Sequence, residues 1–308
     1  MTALIEDYFG PRIISEPALA TERLYDLMVR LCAPFGATGI ASYAVSAIDL
    51  ALWDLKGKVL DRPVYMLLGG PARDNVICYA TGPQHEWHLE LGFTATKHPL
   101  VYCPSDGLDG LKRNIEEISA LRELVGPNIE LMVDCWMGLD VDYAVQLIEE
   151  LQPLKLKWVE EVLPPDHIDA HAELRHRVPW QTLATGEHWY TPMPFHYAVK
   201  HRLVDILQPD IQWVGGLTPL MRICAIADAA GIAVIPHGGV NSPYGQHACY
   251  ALPNISWGEY FVAATPGTDL ADAISVPGAA HPINGLLKPS DAPGFGLEID
   301  LSNLKASA

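Results

Sequence analysis

The chain has 308 residues, 49% hydrophobic and 19% charged, with 37 acidic against 20 basic side chains and a formal net charge of −17. That length and apolar content suffice for a large α/β barrel with a small appendage. The acidity argues against nucleic acid or an anionic membrane as partner, because neutralising phosphates takes clustered Lys and Arg, yet an anionic small molecule stays open, since a divalent cation reverses the local field.

No stretch approaches the roughly 18 apolar residues of a membrane span, and Met1 to Arg12 lacks the basic-then-apolar order of a signal peptide. Cys32, Cys78, Cys103, Cys135, Cys224 and Cys249 form no CxxC pair, which fits reduced thiols and a cytoplasmic location. In chain order, Glu22–Cys32 reads as a helix carrying Leu24, Leu27, Met28 and Leu31 at helical spacing, and Ser46–Lys56 as a second helix ending near Gly57. A turn follows at Leu60–Val64, then a connector at Leu67–Arg73, so residues 1–75 form one mainly helical segment.

From residue 76 short apolar runs alternate with helical stretches. The expected strands are Val76–Ala80, Phe93–Lys97, Glu130–Asp134, Leu156–Glu160, Thr182–Gly186, Val204–Gln208, Ile232–Pro236 and Ile255–Glu259. Lys112–Val125 reads as an amphipathic helix, and another is expected from an N-cap at Thr218, with Pro219 at its first position, to Gly231. Eight strands alternating with helices predict a closed parallel barrel over residues 76–262. Residues 263–308, rich in Pro, Gly and Ala, read as loop and tail.

The ionisable residues fall in register with these strands. Asp134, Glu160, Glu187, Asp210, His237 and Glu259 stand at or just beyond successive strand ends, 22 to 27 residues apart, which places all six at the C-terminal mouth, the face where barrels build active sites. One strand-end acid is most simply a helix N-cap, but six in register are not. Carboxylates gathered without intervening cations repel one another, and a hard divalent cation removes that penalty. Asp134, Glu160 and Glu187 are therefore expected to bind Mg²⁺ or Mn²⁺, since oxygen-only ligands disfavour zinc. Asp210 and His237 lie on neighbouring strands, where a carboxylate orients an imidazole and raises its basicity. Lys97 ends the second strand and faces the same mouth.

His85 with His88, and His167 with His171, have spacings that would suit zinc, but no third ligand accompanies either pair. Both are expected on surface helices. Gly69-Gly70 and Gly215-Gly216 read as turns, with no Lys-Ser/Thr to make a phosphate loop.

Ser46-Ala-Ile-Asp-Leu-Ala-Leu-Trp-Asp-Leu-Lys-Gly, followed by Pro-Val-Tyr-Met-Leu-Leu-Gly-Gly, resembles the end of the enolase superfamily's capping domain. The stations at Asp134, Glu160, Glu187, Asp210 and His237 resemble its mandelate racemase subgroup. Val133-Asp-Cys-Trp-Met, Trp158-Val-Glu-Glu and Gln208-Pro-Asp-Ile-Gln-Trp-Val-Gly-Gly are most similar to the L-rhamnonate dehydratases. The resemblance implies a modified (β/α)7β barrel, with residues 1–75 as the remnant of a cap whose β-rich opening is missing and residues 263–308 returning to that cap. It also implies Mg²⁺, a homo-oligomer, an acid-sugar substrate, and dehydration to a 2-keto-3-deoxy acid with His237 as base. Glu259 would act as a protonated hydrogen-bond donor and Lys97 would assist electrostatically. Racemases of the subgroup carry Lys-x-Lys at the second strand; Lys97-His98-Pro99 stands here, leaving His237 and Asp210 as sole acid and base. The competing readings are an epimerase or another acid-sugar dehydratase, a lidless barrel without catalysis and, behind both, a zinc hydrolase.

Overall fold

The computed structural model describes residues 1–273, 276, 278–297 and 299. Eight parallel strands follow one another: β1 (Val76–Thr81), β2 (Ala95–Pro99), β3 (Glu130–Asp134), β4 (Val159–Glu160), β5 (Leu183–Thr185), β6 (Ile206–Leu207), β7 (Ala233–Val234) and β8 (Gly258–Phe261). Each pairs with the next as far as β7, β8 pairs with β1, and a single parallel bridge between Val234 and Ile255 brings β7 against the entry to β8. The ring is therefore the expected barrel. Several strands are shorter than their apolar runs: β6 and β7 stop ahead of Pro209 and Pro236, which have no N–H to continue a ladder.

A short π-helix (Leu4–Phe9) and four α-helices precede the barrel: α1 (Gly10–Ile13), α2 (Thr21–Cys32), α3 (Ile40–Val59) and α4 (Val64–Leu67). Seven alternate with the strands: α5 (His85–Glu90), α6 (Gly107–Val125), α7 (Val141–Leu151), α8 (Ile168–Arg177), α9 (Pro192–His201), α10 (Leu217–Ala229) and α11 (Pro243–Ala251). Among the described residues no helix is long and apolar enough to cross a membrane.

Strand side chains alternate between the two faces, and this period builds the barrel interior in layers. Tyr79, Ala95, Met132, Trp158, Ala184 and Ile206 form one buried apolar layer with Trp257 against it. Two residues further along the same strands come Thr81, Lys97, Asp134, Glu160, Gly186, Gln208 and Glu259. The polar layer thus rests directly on an aromatic and aliphatic floor.

Helix α3 docks onto the loop between β6 and α10 through one stripe. Ser42 donates to the Trp213 carbonyl at 2.5 Å, Ser46 Oγ accepts from Gly215 N at 2.9 Å, and Asp49 accepts from Thr218 N at 3.0 Å and Thr218 Oγ1 at 2.6 Å. Trp53 Nε1 completes the stripe by donating to Thr218 Oγ1 at 3.0 Å. Helix α10 therefore begins at Leu217, not at a Thr218 cap. The acceptor for its free amides comes from α3, a partner 169 residues away. Gly216, at φ +101°, suits this approach, since a Cβ there would meet Asp49 Oδ2 at 2.3 Å.

The C-terminal segment lies against the same helical region. Phe295 N donates to Asp54 Oδ1 at 2.8 Å, Val64 N to the Gly294 carbonyl at 2.8 Å, and Tyr65 Oη to Asp291 at 2.7 Å. Residues 300–308 of the expected tail lie outside the described residues.

The histidine pairs require a correction. His85 and His88 are buried, both bonded to Thr96 Oγ1, at 2.8 and 2.7 Å, and His85 Nε2 lies 3.0 Å from His98 Nδ1. Burial pushes His85 down to about 3 and His88 to about 4. Helix α5 is one short turn pressed on the outer face of β2, where Thr96 and His98 alternate with the inward Lys97, so its histidines pack inward. His171 is buried too, beside the Trp189 ring, while His167 is exposed.

Truncating the shared cap tests the docking of α3. Asp49→Ala leaves the Thr218 donors buried without an acceptor, and is expected to lower unfolding stability by about 2–3 kcal/mol, read from urea denaturation of wild type and variant.

Candidate active site

Strand register sets the first half of the site. Asp134 and Glu160 are direct neighbours across β3 and β4, and Thr81 is paired with Lys97 across β1 and β2. The Lys97 side chain, 1% exposed, rises among carboxylates from three other strands. Its Nζ lies 3.3 Å from Asp134 Oδ2 and 2.8 Å from Glu259 Oε1, and closest of all to Glu160 Oε1. Glu160 is fully buried, and its second oxygen accepts from Trp158 Nε1 at 2.8 Å and Gln208 Nε2 at 2.7 Å. Glu259 accepts from Thr81 Oγ1 at 2.5 Å and from Gly238 N at 2.7 Å.

Loops beyond the strand ends supply the other half. His237 Nδ1 lies 2.8 Å from Asp210 Oδ2, and its Nε2 3.5 Å from Glu187 Oε2. Asp210 is held in turn by the Gln212 amide, 2.6 Å from Oδ1. The Trp213 ring packs on His237 at 5.0 Å between centroids and on His188 at 5.5 Å. That Trp213 is the residue whose carbonyl Ser42 binds, so the cap helix steadies the loop that carries Asp210.

Burial and charge pull the ionisations apart. Desolvation pushes Glu187 up to about 9 and Glu160 up to about 7, the latter against the pull of Lys97. Burial would lower both cations. Against it, Glu160, Glu259 and Asp134 hold Lys97 well above its usual value, and the hydrogen bond to Asp210, aided by the charges of Glu259 and Glu187, raises His237 to about 10. Burial would also raise Glu259, but Lys97 and His237 bring it down to about 2. In this arrangement Glu259 accepts from Thr81 Oγ1 and the Gly238 amide and lies against the Lys97 ammonium, contacts that favour its ionised form over the expected protonated one.

The structure brings Lys97, Asp134, Glu160 and Glu259 into one cluster and His237, Asp210 and Glu187 into another that abuts it. The groups expected to hold a divalent cation offer only oxygens, from β3, β4 and the loop after β5, and the burial that disfavours charge on Glu160 and Glu187 is what such a cation would offset. On donor chemistry the set fits Mg²⁺. Among the described residues, the three potential ligand groups whose atoms lie within 4.8 Å of one another are Glu161, Glu187 and His188, so Glu187 stands with these and does not close a three-carboxylate set with Asp134 and Glu160 in this structure.

Glu161 and His188 did not emerge from the strand-end spacing, although each directly follows a residue that did. Glu161 adopts φ +47° and turns its carboxylate away from Glu160, accepting from Thr185 Oγ1 at 3.0 Å and His188 Nδ1 at 2.8 Å. Gln208 was also missed, although its place two residues beyond the inward Ile206 signals it. A cleft of about 390 Å³ is lined by His188, Tyr190, Asp166 and Thr38, and another of about 350 Å³ by Trp213, Gln212, Tyr43 and Tyr244.

The family description Enolase C-terminal domain-like matches residues 85–303, and Mandelate racemase / muconate lactonizing enzyme, N-terminal domain, matches residues 1–69. A Caldivirga maquilingensis relative is 40% identical over 96% of this chain and 75% of its own. The L-rhamnonate dehydratase of Saccharopolyspora erythraea is 38% identical over 96% of this chain and 76% of its own length. The crystal structure of rhamnonate dehydratase from Gibberella zeae complexed with Mg superposes with a TM-score of 0.92 at 37% identity, covering 97% of this chain and 74% of that one.

Proposed function

The chain belongs to the enolase superfamily, in its mandelate racemase and muconate lactonizing enzyme branch, and on that footing we propose that it removes water from a sugar acid. The substrate is an aldonate such as L-rhamnonate, the acid named for its relatives, and the product is a 2-keto-3-deoxy acid. Asp134, Glu160 and Glu187 hold Mg²⁺ in this reading. When bound, the ion supplies positive charge against the negative charge that develops on the substrate carboxylate as the C2 proton leaves.

The observation that carries the proposal is the pairing of His237 with Asp210 at 2.8 Å through Nδ1. That bond fixes the tautomer and leaves Nε2 as the atom that takes the C2 proton. The Asp210 hydrogen bond, followed by Glu259 and Glu187, raises the basicity of His237; positive charge held at Glu187 would draw the imidazole back toward the range in which it is free to accept a proton. Lys97 is locked as an ammonium by three carboxylates, so it donates and does not abstract. With Pro99 where a racemase has its second lysine, one imidazole serves both steps. His237 removes the C2 proton and returns it to the departing 3-hydroxyl, which requires both groups on one face of the substrate and so a syn elimination.

His237→Asn is expected to lower both C2 hydrogen exchange and dehydration by about 10³-fold, followed by NMR in D₂O and by 2-keto acid formation. Wild-type exchange in that variant would assign the base to another residue. Asp134→Asn is expected to weaken Mg²⁺ binding by more than the roughly 10–100-fold typical of losing an outer-shell partner, with an unchanged circular dichroism spectrum. Unchanged affinity in calorimetry would remove Asp134 from the ligand set.

A further inference from the structure

Lys97 presents a problem of charge. Its ammonium lies against Asp134 and Glu160, two of the carboxylates assigned above to the metal, and against Glu259, which is not assigned to it. An ammonium and a divalent cation drawing on the same two carboxylates repel each other electrostatically. Each therefore weakens the hold of the other on Asp134 and Glu160.

Glu259 offers the way out. It sits on β8, on the opposite side of β1 from β2, and is anchored by Thr81 Oγ1 and the Gly238 amide. Those donors keep its carboxylate in place whether or not Asp134 and Glu160 are engaged elsewhere. Lys97 has nowhere else to go: the side chain is 1% exposed, and the layer beneath it is the packed floor of Tyr79, Ala95 and Trp158.

We propose that Lys97 is a built-in counter-ion that competes with the divalent cation. It holds Asp134 and Glu160 together in the metal-free protein and yields them on metal binding while keeping Glu259. The inference rests on the ligand assignment made above. Two consequences separate it from a fixed electrostatic role. Lys97 weakens metal binding while stabilising the metal-free fold. Glu259, although no ligand, strengthens metal binding by giving the displaced ammonium a partner.

The test is calorimetric titration of Mg²⁺ into the full chain, as wild type, Lys97→Met, Glu259→Gln and the double variant, with thermal melts of each. Lys97→Met is expected to bind Mg²⁺ at least tenfold more tightly. Its metal-free melting temperature should fall below wild type, with the gap narrowing at saturating Mg²⁺. Glu259→Gln is expected to bind several-fold more weakly, and most of that loss should disappear in the Lys97→Met background, because no ammonium is left to displace. Should Lys97→Met not fold without metal, Lys97→Gln takes its place with the same expected direction. Wild-type or weaker affinity in the lysine variant, or a Glu259→Gln loss of equal size in both backgrounds, overturns the proposal. Failure of wild type to bind Mg²⁺, or unchanged binding in Asp134→Asn, overturns the ligand assignment instead.

Discussion

Several carboxylates buried at the mouth of one barrel repel each other, and water is not there to screen them. Glu160, Glu187 and Glu259 are all nearly or fully inaccessible, and Asp210 is little more exposed. Each needs donors or a cation, and much of the surrounding architecture supplies them. Trp158 and Gln208 donate to Glu160, Thr81 and the Gly238 amide to Glu259, and the Gln212 amide and His237 to Asp210. These donors come from different strands and loops, so the ring of acids is satisfied only in the closed barrel. Removing one donor leaves a buried carboxylate oxygen short of a partner, at part of its desolvation cost.

That constraint also explains why the cap helix and the chemistry are not separable. Helix α3 touches none of the acids directly in the mouth, yet Ser42 and Ser46 bind the Trp213 carbonyl and the Gly215 amide, and Asp49 binds the start of α10. The nearest of these contacts, at Trp213, stands three positions along the chain from Asp210. The Trp213 ring then bridges His188 and His237. An error of a few tenths of an ångström in the docking of α3 would be passed on to the 2.8 Å bond between Asp210 and His237, which sets the tautomer of the base.

The strand-end spacing made Asp134, Glu160 and Glu259 legible, and period two explains why they and Lys97 point inward: each stands two residues beyond a floor residue, Met132, Trp158, Trp257 or Ala95. Where contacts join distant segments, the sequence was silent. The cap of α10 comes from Asp49, so a Thr before Pro219 resembled an N-cap while in fact serving as a donor to another helix. His85 and His88 looked like solvent-facing residues because nothing in their spacing announces Thr96 and His98 on the strand beneath. The ionisation of Glu259 depends on Lys97 and His237, 162 and 22 residues away in the chain, and so only the folded arrangement decides whether it donates or accepts.

The doublet Glu160-Glu161 shows how backbone conformation sorts identical side chains into different duties. Continued as an extended strand, residue 161 would point out of the barrel toward the helices, and its charge would be buried among apolar side chains. Instead Glu161 takes φ +47°, and Trp136 and Met137 at the end of β3 are also left-handed, with Met137 N donating to the Glu161 carbonyl at 2.5 Å. Each such non-glycine residue costs about 1–3 kcal/mol. The conformation is held because it delivers the Glu161 carboxylate to Thr185 and His188, beside Glu187 and apart from the cluster around Lys97. One further anion near Lys97 would add repulsion to a ring that already lacks positive charge. Turning it onto a histidine gives the acid a partner and fixes that ring against Trp213. The strain at these strand ends is therefore the local counterpart of the constraint on the whole mouth: the backbone bends so that the Glu161 carboxylate meets donors of its own.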